Sequence, residues 1–128
     1  PVMQLEASVI AKSVVPAGAT VGYGATWRAQ RDTPLAVVAI GYGDGYPRHV
    51  SRDAYVLIAG KRCPLVGRVS MDMLTVDISA VPDVAINAPV VLWGNGLPVE
   101  QVAAWAGTVN YELLCQVTDR VQRVYKAG

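Results

Sequence analysis

The chain has 128 residues, of which 52% are hydrophobic and 16% are charged, a balance typical of one globular domain. Eleven Lys and Arg are interspersed with ten Asp and Glu, so the formal net charge is only +1 and no basic stripe indicates a nucleic-acid partner. No apolar run approaches the roughly twenty residues that span a bilayer, and no signal-like segment opens the chain. We therefore expect a cytoplasmic protein that does not bind membranes.

The first half of the chain contains alternating and apolar segments that predict strands. Residues 3–11 carry an apolar side chain at every second position, which is the period of a half-buried strand. After a turn signal, residues 20–27 are predicted as a strand or an extended loop that carries Tyr23. Residues 35–40 form a continuous apolar run, typical of a strand buried on both faces. A glycine-rich loop follows at residues 41–47.

Four further strands are predicted in the rest of the chain, at Tyr55–Ile58, residues 63–69, residues 74–78 and Pro89–Trp93. Gly60 lies in a short polar link between the first two, which predicts a hairpin, and Pro64 suggests an edge strand or a bulge. Only residues 98–106 have a helical pattern, with Gly107 placed to end the helix. Another helical turn is expected near residues 111–115.

The number and spacing of these elements predict the fold class. About six or seven strands with one or two short helices favour a mainly β domain over residues 1–128, built as a closed or partly open small β-barrel. Because a strand begins almost directly after Pro1, we expect the chain to be part of something larger. Cys63 and Cys115 are far apart and His49 is the single histidine, so no metal site is expected and two buried thiols are the simpler interpretation.

Three segments carry residues capable of chemistry, and each has a structural alternative. Residues 41–48, GYGDGYPR, fit a tight loop whose glycines allow positive φ. A phosphate cradle is disfavoured there, because no evident helix follows and Asp44 would repel an anion. Arg68 and Asp72 are close enough in sequence to form a structural ion pair. Tyr23 lies between two glycines, so it is either reachable by a substrate or another chain or an ordinary half-buried tyrosine.

Four motifs, in this order and at these spacings, resemble the C-terminal part of alanine racemases: VGYGATW, AIGYGDGYPR, VGRVSMDM and VNYELL. The resemblance covers nearly the whole chain, from Val2 to Tyr125. It implies a homodimer in which an N-terminal TIM-type barrel domain, absent here, binds pyridoxal phosphate through a lysine. The C-terminal β-domain reaches over the partner's barrel, so the active site is shared between subunits. The implied activity interconverts L-alanine and D-alanine, which is used for peptidoglycan.

The resemblance identifies Tyr23 as the catalytic tyrosine. Racemisation removes the α-proton from one face of alanine and returns it to the other, so it needs two acid–base groups and an electron sink. By resemblance the groups are this tyrosine and the missing lysine, and pyridoxal phosphate is the sink. A free phenol has a pKa of about 10, so a cation must favour the phenolate. In the family an arginine of the N-terminal domain supplies this positive charge.

The same resemblance assigns five further positions. Tyr42 is similar to the inner gate of the substrate channel, and Arg48 and Arg68 are similar to charged residues farther out along it. Met71 resembles the residue whose backbone N–H meets the substrate carboxylate. Tyr111 resembles the residue that bonds the cofactor phosphate.

Three lysines, Lys12, Lys61 and Lys126, occupy segments unsuited to a desolvated Schiff base, so we expect the isolated chain to be inactive.

Two other classes of function are alternatives to a racemase domain. A stand-alone binding module has this length and strand content, but the balanced charge and the absence of Phe leave little for a stacking surface. The other alternative is a dimerisation domain without catalytic activity. Adding a separately made N-terminal half and assaying D-alanine distinguishes them.

Overall fold

The computed structural model describes residues 2–21, 27–107 and 123–126. Within these ranges the chain is mainly β, with one α-helix and a 3₁₀ turn at Tyr42–Asp44. The elements are β1 (Val2–Val15), β2 (Thr20–Val21), β3 (Trp27–Arg28), β4 (Thr33–Val38), β5 (Tyr55–Ile58), β6 (Lys61–Val66), β7 (Leu74–Asp77), β8 (Pro89–Trp93), α1 (Val99–Ala106) and β9 (Arg123–Lys126).

Six of the strands close into an antiparallel barrel. The order around the barrel is β1, β4, β7, β6, β5 and β8, which returns to β1, while β9 pairs with the start of β1. The long β1 closes the ring, because residues 5–8 pair with β8 and residues from Val9 onwards pair with β4. A register shift between Val9 and Ala11 lets one strand serve both neighbours. The prediction of a small, mainly β barrel is confirmed, in its closed form.

One hydrophobic cluster holds the strands together. Its largest fully buried side chains include Trp93 of β8, Leu5 of β1 and Ile58 of β5. Neighbouring residues Leu35 and Ala36 of β4 are both buried, as expected for a strand covered on both faces. Burying each large aliphatic side chain contributes about 1.5–3 kcal/mol. The cluster therefore fixes the strand ends from which the functional loops start.

The helix was predicted at residues 98–106 and is observed at Val99–Ala106. Pro98 is its N-cap, and Gly107 ends it in the left-handed conformation at φ 71°. The ring of Trp105 meets the ring of Tyr55 edge-on at 4.8 Å, which packs the helix against β5. The turn expected near residues 111–115 lies outside the described residues. None of the helical segments in the described ranges has the length and hydrophobicity needed to span a bilayer.

Pro64 occupies a different position from the one predicted. In the described sheet β6 lies between β5 and β7, so it is not an edge strand, and its pairing with β5 keeps one register through Pro64. The pairing of β6 with β7 covers only Leu65 and Val66. No hydrogen bond to β7 is therefore required from Pro64, which explains how an interior strand accepts a proline.

Cys63 in β6 is fully buried, which confirms the interpretation of a structural thiol for this residue. Burial, followed by the nearby charge of Asp77, raises the pKa of the thiol to about 11. The thiol therefore stays protonated and unreactive at neutral pH. Cys115 lies outside the described residues.

Tyr46 carries a buried hydroxyl without a hydrogen-bond partner among the described residues. Its side chain is 1% exposed, and burial raises the pKa of the phenol. An unsatisfied buried polar group costs about 1–3 kcal/mol. We expect Tyr46→Phe to leave the free energy of unfolding unchanged or to raise it by about 1 kcal/mol. Urea unfolding measures this change, with Tyr46→Leu as the control that should destabilise through a cavity. A clear loss of stability in Tyr46→Phe would reveal a partner for the hydroxyl.

Candidate functional site

The loop that follows β4 is closed by its own hydrogen bonds. We call residues 41–46 the Tyr42 loop. Gly41 precedes the 3₁₀ turn, and Gly45 ends it in the left-handed region at φ 103°. The buried carboxylate of Asp44 accepts the N–H of Gly41 at 3.2 Å, and the N–H of Asp44 donates to the carbonyl of Gly41 at 3.0 Å. These hydrogen bonds fix the backbone on both sides of Tyr42, shortly after β4 ends at Val38.

A second loop, between β6 and β7, is joined to the first. We call residues 70–73 the Met71 turn. The N–H of Tyr42 donates to the carbonyl of Ser70 at 3.0 Å, and the N–H of Gly43 donates to the carbonyl of Met71 at 2.7 Å. These two hydrogen bonds bring motifs that are far apart in sequence into one structural unit.

Glycine is needed at two positions of the Tyr42 loop because the Met71 turn lies so close. A Cβ atom on Gly41 would lie 2.1 Å from the carbonyl oxygen of Ser70, and one on Gly43 would lie 2.9 Å from the carbonyl oxygen of Met71. The expectation that the glycines allow positive φ holds for Gly45. Gly41 has an extended φ of −150°, so its requirement comes from contact alone.

The two loops line an open groove of about 630 Å³. Tyr42, Arg48, Arg68 and Met71, the four described positions singled out in the sequence, all line it. The guanidinium of Arg48 lies 4.9 Å from the centroid of the Tyr42 ring, which is a cation–π geometry. The groove therefore combines an aromatic surface with the positive charges of two arginines.

Further residues of the groove had no functional role assigned from the sequence. His49, Ser70 and Asp72 also line it, and each stands next to a residue that the sequence did single out. Arg68 and Asp72 are both exposed, and within the described ranges no ion pair joins them, so the structural ion pair considered for these residues is not formed. Their charges are thus available to molecules in the groove.

Within the described part of the chain, the backbone N–H of Met71 is an unused hydrogen-bond donor at the groove. Its carbonyl accepts the N–H of Gly43, whereas its own N–H donates to no other group in the described part of the chain. Its side chain is 55% exposed. A free backbone N–H with two arginines in the same groove is a chemical match for a carboxylate, because both supply positive potential and directed donors.

Two of the selected residues, Tyr23 and Tyr111, lie outside the described residues. Val21, the last described residue before the segment with Tyr23, lines the groove and lies in β2, which pairs with β3. Lys12 and Lys61 are exposed and do not line the groove, so neither fits a covalent cofactor linkage. Among the described residues, no group of three or more His, Cys, Asp or Glu could hold a metal ion.

A family model described as alanine racemase, C-terminal domain, matches residues 2–125. The chain belongs to this family. The alanine racemase of Coxiella burnetii is 53% identical over 122 residues, which make up 95% of this chain and 34% of that protein. The chain spans about a third of the length of the curated relatives that it matches.

Solved structures agree with this membership. The biosynthetic alanine racemase of Pseudomonas aeruginosa superimposes with a TM-score of 0.89 at 49% identity, over 97% of this chain and 35% of that one. The alanine racemase of Bartonella henselae, solved with covalently bound pyridoxal phosphate, gives a TM-score of 0.86 at 34% identity, over 94% of this chain and 34% of that one. The closed barrel is thus a fold that this chain shares with alanine racemases.

Proposed function

We propose that residues 1–128 form the C-terminal domain of a homodimeric, pyridoxal-phosphate-dependent alanine racemase. The observation that carries the proposal is the groove in which Tyr42, Arg48, Arg68 and Met71 meet, four positions with assigned roles in the resemblance. An N-terminal TIM-type barrel domain, its own and that of the partner subunit, would complete the site. The enzyme would interconvert L-alanine and D-alanine in the cytoplasm and supply D-alanine for peptidoglycan.

Tyr23 is the residue of this chain that we assign to proton transfer. Its phenol would take or return the α-proton on one face of alanine, while a lysine of the N-terminal domain serves the other face. The position of Val21 in the groove supports this assignment, because Tyr23 follows it by two residues. A cation of the barrel domain would favour the phenolate form.

The cofactor would be held mainly outside this chain. Pyridoxal phosphate, when bound, supplies the electron sink that makes the α-proton removable. The exposed positions of Lys12 and Lys61 support a covalent linkage on the N-terminal domain. Within this chain the hydroxyl of Tyr111 is assigned to the cofactor phosphate. The Bartonella relative, which binds pyridoxal phosphate covalently, supports the same cofactor here.

Substrate positioning is the role we assign to the groove. The N–H of Met71, which has no acceptor among the described residues, would donate to the alanine carboxylate and so orient the Cα–H bond toward the two bases. Tyr42 would form the inner gate of the channel. Arg48 and Arg68 would contact the carboxylate of the entering alanine and orient it toward that gate, because a guanidinium forms short charge-assisted hydrogen bonds with a carboxylate.

A racemisation assay tests the proposal. The full-length protein that carries this chain, supplied with pyridoxal phosphate, should convert L-alanine to D-alanine until the two enantiomers are equal, as measured by chiral chromatography. The chain by itself should be inactive, and adding a separately made N-terminal half should restore activity. A full-length protein that binds the cofactor but racemises no alanine would overturn the proposal.

Replacement of the groove arginines should impair substrate access more than chemistry. We expect Arg48→Ala or Arg68→Ala in the full-length enzyme to lower kcat/KM for alanine by about tenfold, because one charge-assisted contact to the entering carboxylate is lost. Arg52→Ala is the matched control, because Arg52 is also exposed but does not line the groove. Exchange of the α-proton on pre-bound substrate should stay near the wild-type rate. Collapse of that exchange would mean that the arginines act in the chemical step.

A further inference from the structure

The Met71 turn is braced by the side chain of Ser70. The Ser70 Oγ donates to the carbonyl of Met73 at 2.8 Å and accepts the N–H of Met73 at 3.2 Å. The backbone N–H of Ser70 also donates to the Met73 carbonyl, at 2.9 Å. One hydroxyl therefore contacts both polar backbone groups of the residue at the far end of the turn.

This bracing leaves the N–H of Met71 available. The polar backbone groups at both ends of the turn are engaged, and the carbonyl of Met71 is held by Gly43. The carbonyl of Ser70 meanwhile accepts the N–H of Tyr42 at 3.0 Å. Ser70 thus connects two parts of the site. It precedes Met71, the proposed carboxylate donor, in the chain, and its carbonyl accepts the N–H of Tyr42, the proposed channel gate.

We infer that Ser70 is a positioning residue, whose hydroxyl holds the Met71 turn in the shape that presents the Met71 N–H to the substrate carboxylate. This inference rests on the proposed function and assigns a role to a residue that does not itself touch the reacting carbon. A donor fixed in advance binds an anion better than one that must be ordered during binding, because the ordering entropy is not lost at that moment. Removing the hydroxyl should therefore weaken carboxylate binding.

The kinetic test uses three variants of the full-length enzyme. Ser70→Ala removes both side-chain hydrogen bonds and should raise KM for alanine by about tenfold with a smaller change in kcat. Ser70→Thr keeps a hydroxyl and should restore most of the affinity. Ser79→Ala is the matched control, because the Ser79 hydroxyl also bonds within its own turn, to Asp77 at 2.6 Å, but does not line the groove.

A binding measurement separates this inference from the proposed function. Acetate carries a carboxylate and acetamide does not, so acetate should shift the Met71 amide resonance of ¹⁵N-methionine-labelled full-length protein, and acetamide should not. Ser70→Ala should weaken acetate binding by about tenfold. An active wild-type enzyme with unchanged KM and acetate binding in Ser70→Ala would overturn the inference alone. An inactive wild type would overturn the proposed function, while the acetate titration would still decide the role of Ser70.

Discussion

Gly41→Ala should destabilise the protein and separate the two loops of the groove. The added Cβ would lie 2.1 Å from the carbonyl oxygen of Ser70 and 2.6 Å from the carbonyl carbon of Met71, both backbone atoms that cannot rotate away. The backbone at Gly41 is extended, so no φ strain contributes. Overpacking of this kind costs about 3 kcal/mol. The midpoint of urea unfolding should fall accordingly, and alanine racemisation by the full-length enzyme should fall with it.

Gly18→Ala is the contrasting control for this result. A Cβ at Gly18 would meet no atom within 4 Å, but its φ of +88° strains an L-residue. We expect a cost of about 1–2 kcal/mol from the backbone alone, with racemase activity kept. Equal stability and activity in Gly41→Ala and the wild type would show that the Tyr42 loop does not depend on its contact with the Met71 turn.

The barrel could be predicted from the sequence to a large extent because its strands follow simple patterns. The alternation in residues 3–11 and the apolar run in residues 35–40 each led to an observed strand. The extension of β1 to Val15 could not be predicted in this way. Ser13 interrupts the apolar face of the strand, and both it and Lys12 remain in the strand because they pair with residues of β4. Such pairing is a property of the closed barrel, not of the local segment.

The candidate site was predictable only through the resemblance. No periodicity relates Tyr42 to Met71, and their loops meet because Gly41 and Gly43 allow a close approach that is visible only in three dimensions. The sequence predicted only a loop at residues 41–47. The 3₁₀ turn at Tyr42–Asp44 within it is visible only in the structure. Ser70 was also missed, because a serine beside a selected methionine carries no signal until its hydrogen bonds to Met73 are known.

Tyr23→Phe in the full-length dimer should abolish racemisation while leaving the protein folded. The change removes one hydroxyl and keeps the ring, so effects on packing should be small. Loss of a positioned acid–base group costs roughly 10²–10⁴ in rate, and here it removes the group that serves one face of the α-carbon. Alanine binding should survive, because the proposed carboxylate contact is at Met71. A near-normal KM with a collapsed kcat is the expected kinetic signature.

The most direct test of the account is deuterium exchange by the Tyr23→Phe enzyme in heavy water. The account predicts that D-alanine still takes up solvent deuterium at its α-carbon, because the lysine of the N-terminal domain serves that face, while L-alanine stays nearly inert. Mass spectrometry of each enantiomer over time measures both rates. Racemisation at the wild-type rate, or equal loss of exchange in both enantiomers with the cofactor still bound, would contradict the assignment of Tyr23 as the base that this domain contributes.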